Sequence, residues 1–311
     1  MSAKSKKIQI ESIADGKNIL LQPAAKVLVA VVREKDAAFR AAWTHFQTAE
    51  DDPESLHDMR VDLRRLRVWL KLTRHEVKTS QSICKRLKAL AKASNPVRDH
   101  EVLLGWLSLA QKQLGDNVVL VNLIDYGNQA YQQSTELSFS EKPGLEPEPK
   151  HKKGINLEQW LEQTVEHRIE RIDQLLHAGM EETHLARIEI KYLRYLLEPF
   201  PNTVNNAKAL VEWCKEVQGL LGDFHDVQVF RSHLPDFARW ITDSELAEVA
   251  LLPGKQSKAI TKVFANARES IITLSGWQDQ ELHRQWQKWL AVRDNYLSAL
   301  HALRKKKGTI Q

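Results

Sequence analysis

The chain has 311 residues, of which 42% are hydrophobic, and it carries a formal net charge of +5. That content is enough for one sizeable core or two smaller ones, and two cysteines, Cys84 and Cys214, argue against a disulfide framework. No stretch approaches the roughly 20 apolar residues of a membrane span or resembles a signal peptide, so the sequence excludes a membrane protein and predicts a cytoplasmic one.

The first predicted elements lead into a strongly basic region. Residues 1–22 are expected to form a flexible leader, followed by a helix over 23–48. The turn and cap signal at 51–55 precedes a basic helix that is expected to reach about Lys78. From His57 to Arg98 the chain has twelve Lys and Arg against three Asp and Glu, a net charge of +9 that leaves −4 elsewhere. This local excess indicates a directed anion site.

The cations of the basic helix share one face. At about 100° per residue they form a stripe, here called the first cationic stripe, made of His57, Arg60, Arg64, Arg67, Lys71 and Arg74. Apolar residues flank the stripe, and Asp58 and Asp62 lie on another face near Arg65. Like charges at this spacing repel, so the stripe costs stability unless an anion neutralises it. Arg65 is predicted to contribute little to anion binding, and its replacement by Glu is expected to leave folding intact.

The remaining helices are separated by a charged, proline-containing segment. Helices are expected over 80–93, 98–113 and 117–133, and residues 141–154 are typical of a linker or exposed loop. The second half is predicted to hold helices at 157–177, 182–198, 207–221, from 222 onward, 257–274 and 281–302. Residues 304–311 form a basic tail that is expected to be frayed and solvated.

The helix at 182–198 repeats the first basic helix. The offset is 127 residues and gives a second cationic stripe made of His184, Arg187, Lys191 and Arg194. It also carries Lys88 onto Lys215 and Arg98-Asp99 onto His225-Asp226. A basic run is usually a solvated helix face, but two copies with matched apolar flanks favour a binding role. Neither His57 nor His184 has a second His or Cys at ligand spacing, and either could be a hydrogen-bonded residue near a helix start.

These motifs resemble a known family. The elements are His57-x-x-Arg60 through Arg67, Arg98-Asp99 before Val102, His184-x-x-Arg187 through Arg194, and Leu221-Gly222-Asp223 through Val227. In this order they are similar to the CHAD family, the conserved histidine α-helical domain. The resemblance implies an all-α fold of two pseudo-twofold-related four-helix bundles that share a basic central groove or pore. The domain would cover 23–303, with a first half at 23–140, a linker at 141–154 and a second half at 155–303.

The resemblance also implies a function. The chain would bind inorganic polyphosphate, or another polyanion, without catalysis or a cofactor, and could locate to polyphosphate granules and their proteins. The residues carried over are His57, Arg60, Arg64, Arg67, Lys71, Arg98, His184, Arg187, Lys191 and Arg194. Lys88 and Lys215 are added from the repeat alone. His225 stands in place of Arg98 and Glu198 in place of Lys71, so the second half is expected to contribute less.

Two other functions compete with this one. Nucleic-acid binding shares the charge requirement but needs base readout or stacking platforms, and the first stripe has no interleaved aromatic residues. A metal-dependent phosphate enzyme needs clustered acids, which the stripes lack. Asp99 and Asp226 lie beside basic residues near helix starts, where a capping role or a salt bridge is expected.

Overall fold

The computed structural model describes residues 19–49, 52–115, 123–124, 144–151, 154–250 and 256–305. Within these ranges the chain is all-α apart from two very short strands and two 3-10 turns, which confirms the predicted class. The helices are α1 (Ala24–Thr48), α2 (Pro53–Leu72), α3 (Gln81–Ala93), α4 (Asn95–Leu114), α5 (Leu157–His177), α6 (Thr183–Leu197), α7 (Ala207–Ser232), α8 (Leu234–Ala250) and α9 (Gln256–Lys305). None of these described helices combines the length and apolarity needed to cross a bilayer.

The first basic helix, α2, has clear boundary signals. Pro53 occupies the first helical position, and the Asp52 side chain accepts a hydrogen bond from the Glu54 backbone N–H at 3.0 Å. The helix ends at Leu72, where the Thr73 hydroxyl donates to the Trp69 carbonyl at 2.7 Å. The helix is therefore shorter than expected, because the chain turns after Thr73 to form strand β1 (Val77–Lys78).

The segment expected to be an exposed linker is partly packed. Strand β2 (Glu148–Pro149) pairs antiparallel with β1, and the Ser80 backbone N–H donates to the Leu145 carbonyl at 3.1 Å. The Leu145 side chain is only 1% exposed. One buried leucine and a two-residue ladder anchor this segment, and neither leaves a clear signal among its prolines and charges.

Two helices continue through predicted breaks. Helix α7 runs past Gly222, and α9 runs from Gln256 to Lys305 through Gly276, where two helices were expected. The buried residues Leu274 and Trp277 flank Gly276 and hold that part of α9 against a core. Tertiary packing therefore outweighs the roughly 1 kcal/mol cost of a mid-helix glycine.

The chain divides into two compact units. The first unit comprises 1–93, 137–218 and 293–311, and the second comprises 94–136 and 219–292, so each contains parts of both predicted halves. In the first unit, α1, α2, α5 and α6 surround a core that includes Leu28, Trp69, Leu161, Leu196 and Phe200. In the second, α4, α7, α8 and α9 contribute Leu107, Phe230, Phe237 and Trp277, and the Trp277 indole donates to Gln113 at 2.8 Å.

The described ends of the expected domain are also packed. Ile19–Leu21 forms a 3-10 turn with Leu20 buried, and the Leu157 backbone N–H donates to the Gln22 carbonyl at 2.9 Å. Residues 1–18 of the expected leader lie outside the described residues. Arg304, expected in a frayed tail, belongs to α9 and pairs with Glu166 and Glu170 of α5. Residues 306–311 of that tail are outside the described residues.

Candidate anion-binding site

The apolar flanks of α2 hold its cations at the surface of the first unit. Met59, Leu63 and Leu66 are buried. On the adjacent face, Arg60 and Arg64 are half-buried, and His57, Arg67 and Lys71 are exposed. A guanidinium at such a boundary keeps its stem in apolar contact while its N–H groups face outward. The burial pattern thus follows the periodicity read from the sequence.

Helix α6 repeats the arrangement in the same unit. Ala186, Ile190 and Leu193 are fully buried, whereas His184 is exposed. The three cations of the second stripe are half-buried: Arg187, Lys191 and Arg194. Two amphipathic helices of similar charge are therefore built into one compact body.

The two helices are antiparallel where they meet. Arg65 of α2 lies 5.9 Å from the Tyr195 ring centroid, and its Nε is 3.6 Å from Glu198 Oε2. Further along α2, Lys71 Nζ lies 4.8 Å from the Tyr192 ring centroid. Residues with higher numbers in α2 thus contact residues with lower numbers in α6. The helices that carry both stripes consequently share one interface.

The contacts at this interface are reciprocal under the sequence repeat. The offset of 127 residues relates Arg65 to Tyr192 and Lys71 to Glu198. The Arg65–Glu198 and Lys71–Tyr192 contacts are therefore counterparts of each other. A surface related by a twofold axis has this property, because residue i meets j while j meets i.

Tyr192 supplies an aromatic surface among the cations. The Arg168 guanidinium of α5 lies 5.0 Å from its ring centroid, and Arg168 also pairs with Glu189. Arg67 is largely exposed, but the protein desolvates it in part and so lowers its pKa; Tyr192 opposes this change, and repulsion from Arg64 adds a smaller lowering. Arg64 and Arg67 therefore repel each other within the first stripe. Arg168 could not be found from the repeat, which relates it to Ala41.

His184 experiences the charge of its own stripe. The side chain is exposed, but neighbouring protein atoms desolvate it in part and lower its pKa from the usual value, and the nearby cations Arg187 and Lys191 lower it further. The neutral imidazole is therefore favoured in the unliganded protein at neutral pH. An anion at this position would act in the opposite direction and favour the imidazolium.

The structure corrects the prediction for Arg65. The side chain is 33% exposed, with Nη1 3.1 Å from Asp62 and Nε near Glu198. Burial alone would lower the pKa of Arg65, but Glu198 and Asp62 together raise it. Arg65 faces α6 rather than an outer acidic surface. It therefore contributes to packing between the two basic helices, a role that the sequence pattern did not predict.

The two lysines added from the repeat lie on helices other than α2 and α6. Lys88 is exposed on α3. Lys215 is exposed on α7, where its Nζ lies 2.7 Å from Glu212. Arg98 lies in the first turn of α4, and its side chain is outside the described residues. No group of three His, Cys, Asp or Glu side chains among the described residues is arranged to hold a metal ion.

One family model covers more than half of the chain. The CHAD domain model matches residues 36–235. The chain is similar to the crystal structure of the CHAD domain from the plant Ricinus communis, with a TM-score of 0.60, 19% identity and coverage of 92% of this chain and 94% of that chain. It also matches PptA from Streptomyces chartreusis, with a TM-score of 0.47, 12% identity and coverage of 86% and 100%. Curated proteins gave no match.

Proposed function

Because the chain belongs to the CHAD domain family, we propose that it binds inorganic polyphosphate through α2 and α6 and does not cleave it. The observation that carries this proposal is the antiparallel contact between two helices that each bear a cationic stripe. A flexible polyanion can follow such a surface and neutralise successive cations. Granule association and binding to granule proteins belong to the same proposal.

The residue types suit phosphate oxygens. Arginine offers a rigid fork of N–H donors, and lysine adds a compact charge. Arg64 makes no salt bridge within the part of the chain that the structure describes. Arg67 is repelled by it. A bound phosphate chain would relieve this repulsion, so the strain in the free stripe becomes affinity for an anion.

The proposal includes a pseudo-twofold axis at the α2–α6 interface. The reciprocal Arg65–Glu198 and Lys71–Tyr192 contacts support it, as does the 127-residue repeat. Such an axis would place the two stripes in one basic groove. Superposing residues 23–140 on 155–303 is expected to bring His57 onto His184.

A non-catalytic role is proposed on the chemistry of the nearby acids. Asp62 and Glu198 are paired with arginines of the interface, and Glu189 pairs with Arg168. Carboxylates held this way serve as structural partners, whereas phosphoryl chemistry requires acids that hold a metal or activate water. Incubation with long polyphosphate and divalent cations is expected to release no phosphate.

Nucleic-acid binding remains the second candidate because of Tyr192. The sequence showed no aromatic residue within the first stripe, but the fold brings this ring against Lys71 and Arg168. An aromatic ring among cations can stack with a base. One test distinguishes polyphosphate binding from nucleic-acid binding, since base stacking would favour single-stranded DNA over a chain of phosphates alone.

The test is a competition at physiological salt. Labelled long polyphosphate is bound to the protein and displaced by unlabelled polyphosphate, single-stranded DNA or RNA of equal charge. Polyphosphate should displace the label at the lowest concentration. Equal or better displacement by DNA or RNA would favour the nucleic-acid function.

A matched pair of variants tests the site itself. Arg64→Glu removes a charge-assisted contact and adds repulsion, so polyphosphate affinity should fall tenfold or more, from about 1.5–3 kcal/mol for the lost contact. Arg239→Glu makes the same change in net charge at a side chain that is 75% exposed on α8. If both variants lose the same affinity, the ligand senses only net charge.

A further inference from the structure

We propose that Glu198 is an internal anion that withholds Arg194 from the ligand and so limits binding by the second cationic stripe. This inference rests on the proposed polyphosphate function. Glu198 would thus set how strongly the second cationic stripe binds, although its own carboxylate repels phosphate.

The Glu198 carboxylate joins two basic helices. Its Oε1 accepts a hydrogen bond from Arg194 Nε at 3.0 Å, and its Oε2 lies 3.6 Å from Arg65 Nε. The Glu198 side chain is 26% exposed, so water screens these contacts only in part. Each carboxylate oxygen thus serves an arginine from a different helix.

A second nitrogen of the Arg194 guanidinium is also hydrogen-bonded. Its Nη1 donates to Gln218 Oε1 at 3.0 Å, and its carbon lies 5.4 Å from the Tyr195 ring centroid. A phosphate group that binds side-on to an arginine accepts hydrogen bonds from Nε and one terminal nitrogen. Such a phosphate can bind Arg194 only by displacing Glu198 from its Nε–H.

The equivalent position in the first helix has the opposite charge. The repeat relates Glu198 to Lys71, which is exposed and carries an ammonium above Tyr192. The same structural position therefore presents a cation at one end of the α2–α6 interface and an anion at the other. The ligand should consequently be held more tightly by the α2 end, with α6 as the weaker contact.

The test compares Glu198→Gln with Asp294→Asn in polyphosphate titrations. Both substitutions remove one negative charge, and Asp294 is an 81% exposed acid whose partner is the neighbouring Arg293 at 3.0 Å. Glu198→Gln should bind roughly three- to tenfold more tightly, which is the gain expected from one released arginine. Asp294→Asn should change affinity less than twofold. Equal gains would show that only net charge matters and would overturn the proposal.

A double variant identifies the released group. Adding Arg194→Gln to Glu198→Gln should return the affinity to that of the parent. A gain that persists without Arg194 overturns the proposal, as does a folded Glu198→Gln protein with parental or weaker affinity. If Glu198→Gln does not fold, Arg194→Gln and Arg64→Gln are compared in the parent. The Arg64 variant should lose several-fold more affinity, and equal losses overturn the proposal.

The titration of the parent protein distinguishes a failure of the proposed function from a failure of the role of Glu198. A parent that binds no polyphosphate overturns the proposed function and this inference together. A parent that binds, together with unchanged binding in Glu198→Gln, overturns only the role of Glu198.

Discussion

At Arg65, one guanidinium is held by a carboxylate on its own helix, a carboxylate beyond α6 and an aromatic ring. These partners are Asp62 at 3.1 Å, Glu198 at 3.6 Å and Tyr195 at 5.9 Å. Helical periodicity placed Arg65 correctly relative to the stripe but could not show what lies opposite it. Tyr195 and Glu198 lie more than 100 residues later in the chain, and a sequence pattern shows which residues share a helix face but not what packs against it.

Arg65→Glu should therefore destabilise the protein. The new carboxylate would face Asp62 and Glu198 across a half-buried interface, and Glu198 would lose one of its two arginines. We expect a loss of about 1–3 kcal/mol in the free energy of unfolding, less than for a fully buried pair because water still reaches the side chains. Urea denaturation of this variant and of Arg239→Glu provides the measurement and its control. Equal midpoints for the two variants would contradict the structural role.

Polyphosphate affinity should rise as pH falls, and His184 should account for part of the rise. Partial desolvation, Arg187 and Lys191 lower the pKa of His184 in the free protein, whereas a bound anion raises it, so the complex binds more protons. Affinity should increase as the pH falls through the raised pKa of the complex and level off below the free pKa, which lies under the usual value of about 6.5. His184→Gln should flatten this dependence. An unchanged profile in that variant would exclude His184 from the effect.

Among the elements, α9 shows most clearly how packing overrides local sequence. The chain continues as one helix through Gly276, where an added Cβ would face open space, while Gly115, the residue after the end of α4, has a positive φ of 84°. The two glycines therefore have different roles. The first is a helical residue without a side chain, and the second adopts a backbone conformation that disfavours any side chain.

Alanine at the two glycines should have opposite effects. Gly276→Ala adds a methyl group that meets no atom within 4 Å and should stabilise the protein by about 0.5–1 kcal/mol through helix propensity. Gly115→Ala should destabilise it by about 1 kcal/mol because the left-handed conformation is strained. Thermal unfolding by circular dichroism measures both. A destabilising Gly276→Ala would show that α9 is locally distorted at this residue.

The helices themselves could largely be predicted, and their partners could not. Apolar positions at helical spacing defined α2 and α6, and the cap at Asp52 marked where α2 begins. The sequence did not reveal the packing of Leu145 or the Tyr192 contacts, because each depends on residues distant in the chain. The sequence thus predicted the two cationic stripes as helix faces, but only the fold shows that the helices carrying them are in contact.

On the scale of the whole molecule, the two halves of the sequence repeat do not coincide with the two compact units of the fold. The repeat predicts halves at 23–140 and 155–303, whereas the first compact unit draws on both and holds α2 together with α6. The repeat follows the order of the chain, but segments from both copies pack together within each compact unit. The cations of both copies consequently belong to one body, and this decides how many of them a single ligand can meet.

The salt dependence of binding should reveal that number. Each phosphate neutralised on a flexible polyanion releases counterions and contributes about −0.7 to the slope of log affinity against log salt. Arg60, Arg64, Arg67 and Lys71 alone would give a slope of about −3, and the addition of Arg187 and Lys191 would give about −4. We expect about −4, because α2 and α6 are packed together in the first unit. Lys71→Gln should reduce the magnitude by about 0.7, whereas Arg239→Gln on the other unit should leave it unchanged. A slope near −3 that Arg187→Gln does not alter would mean that α2 binds the chain without α6.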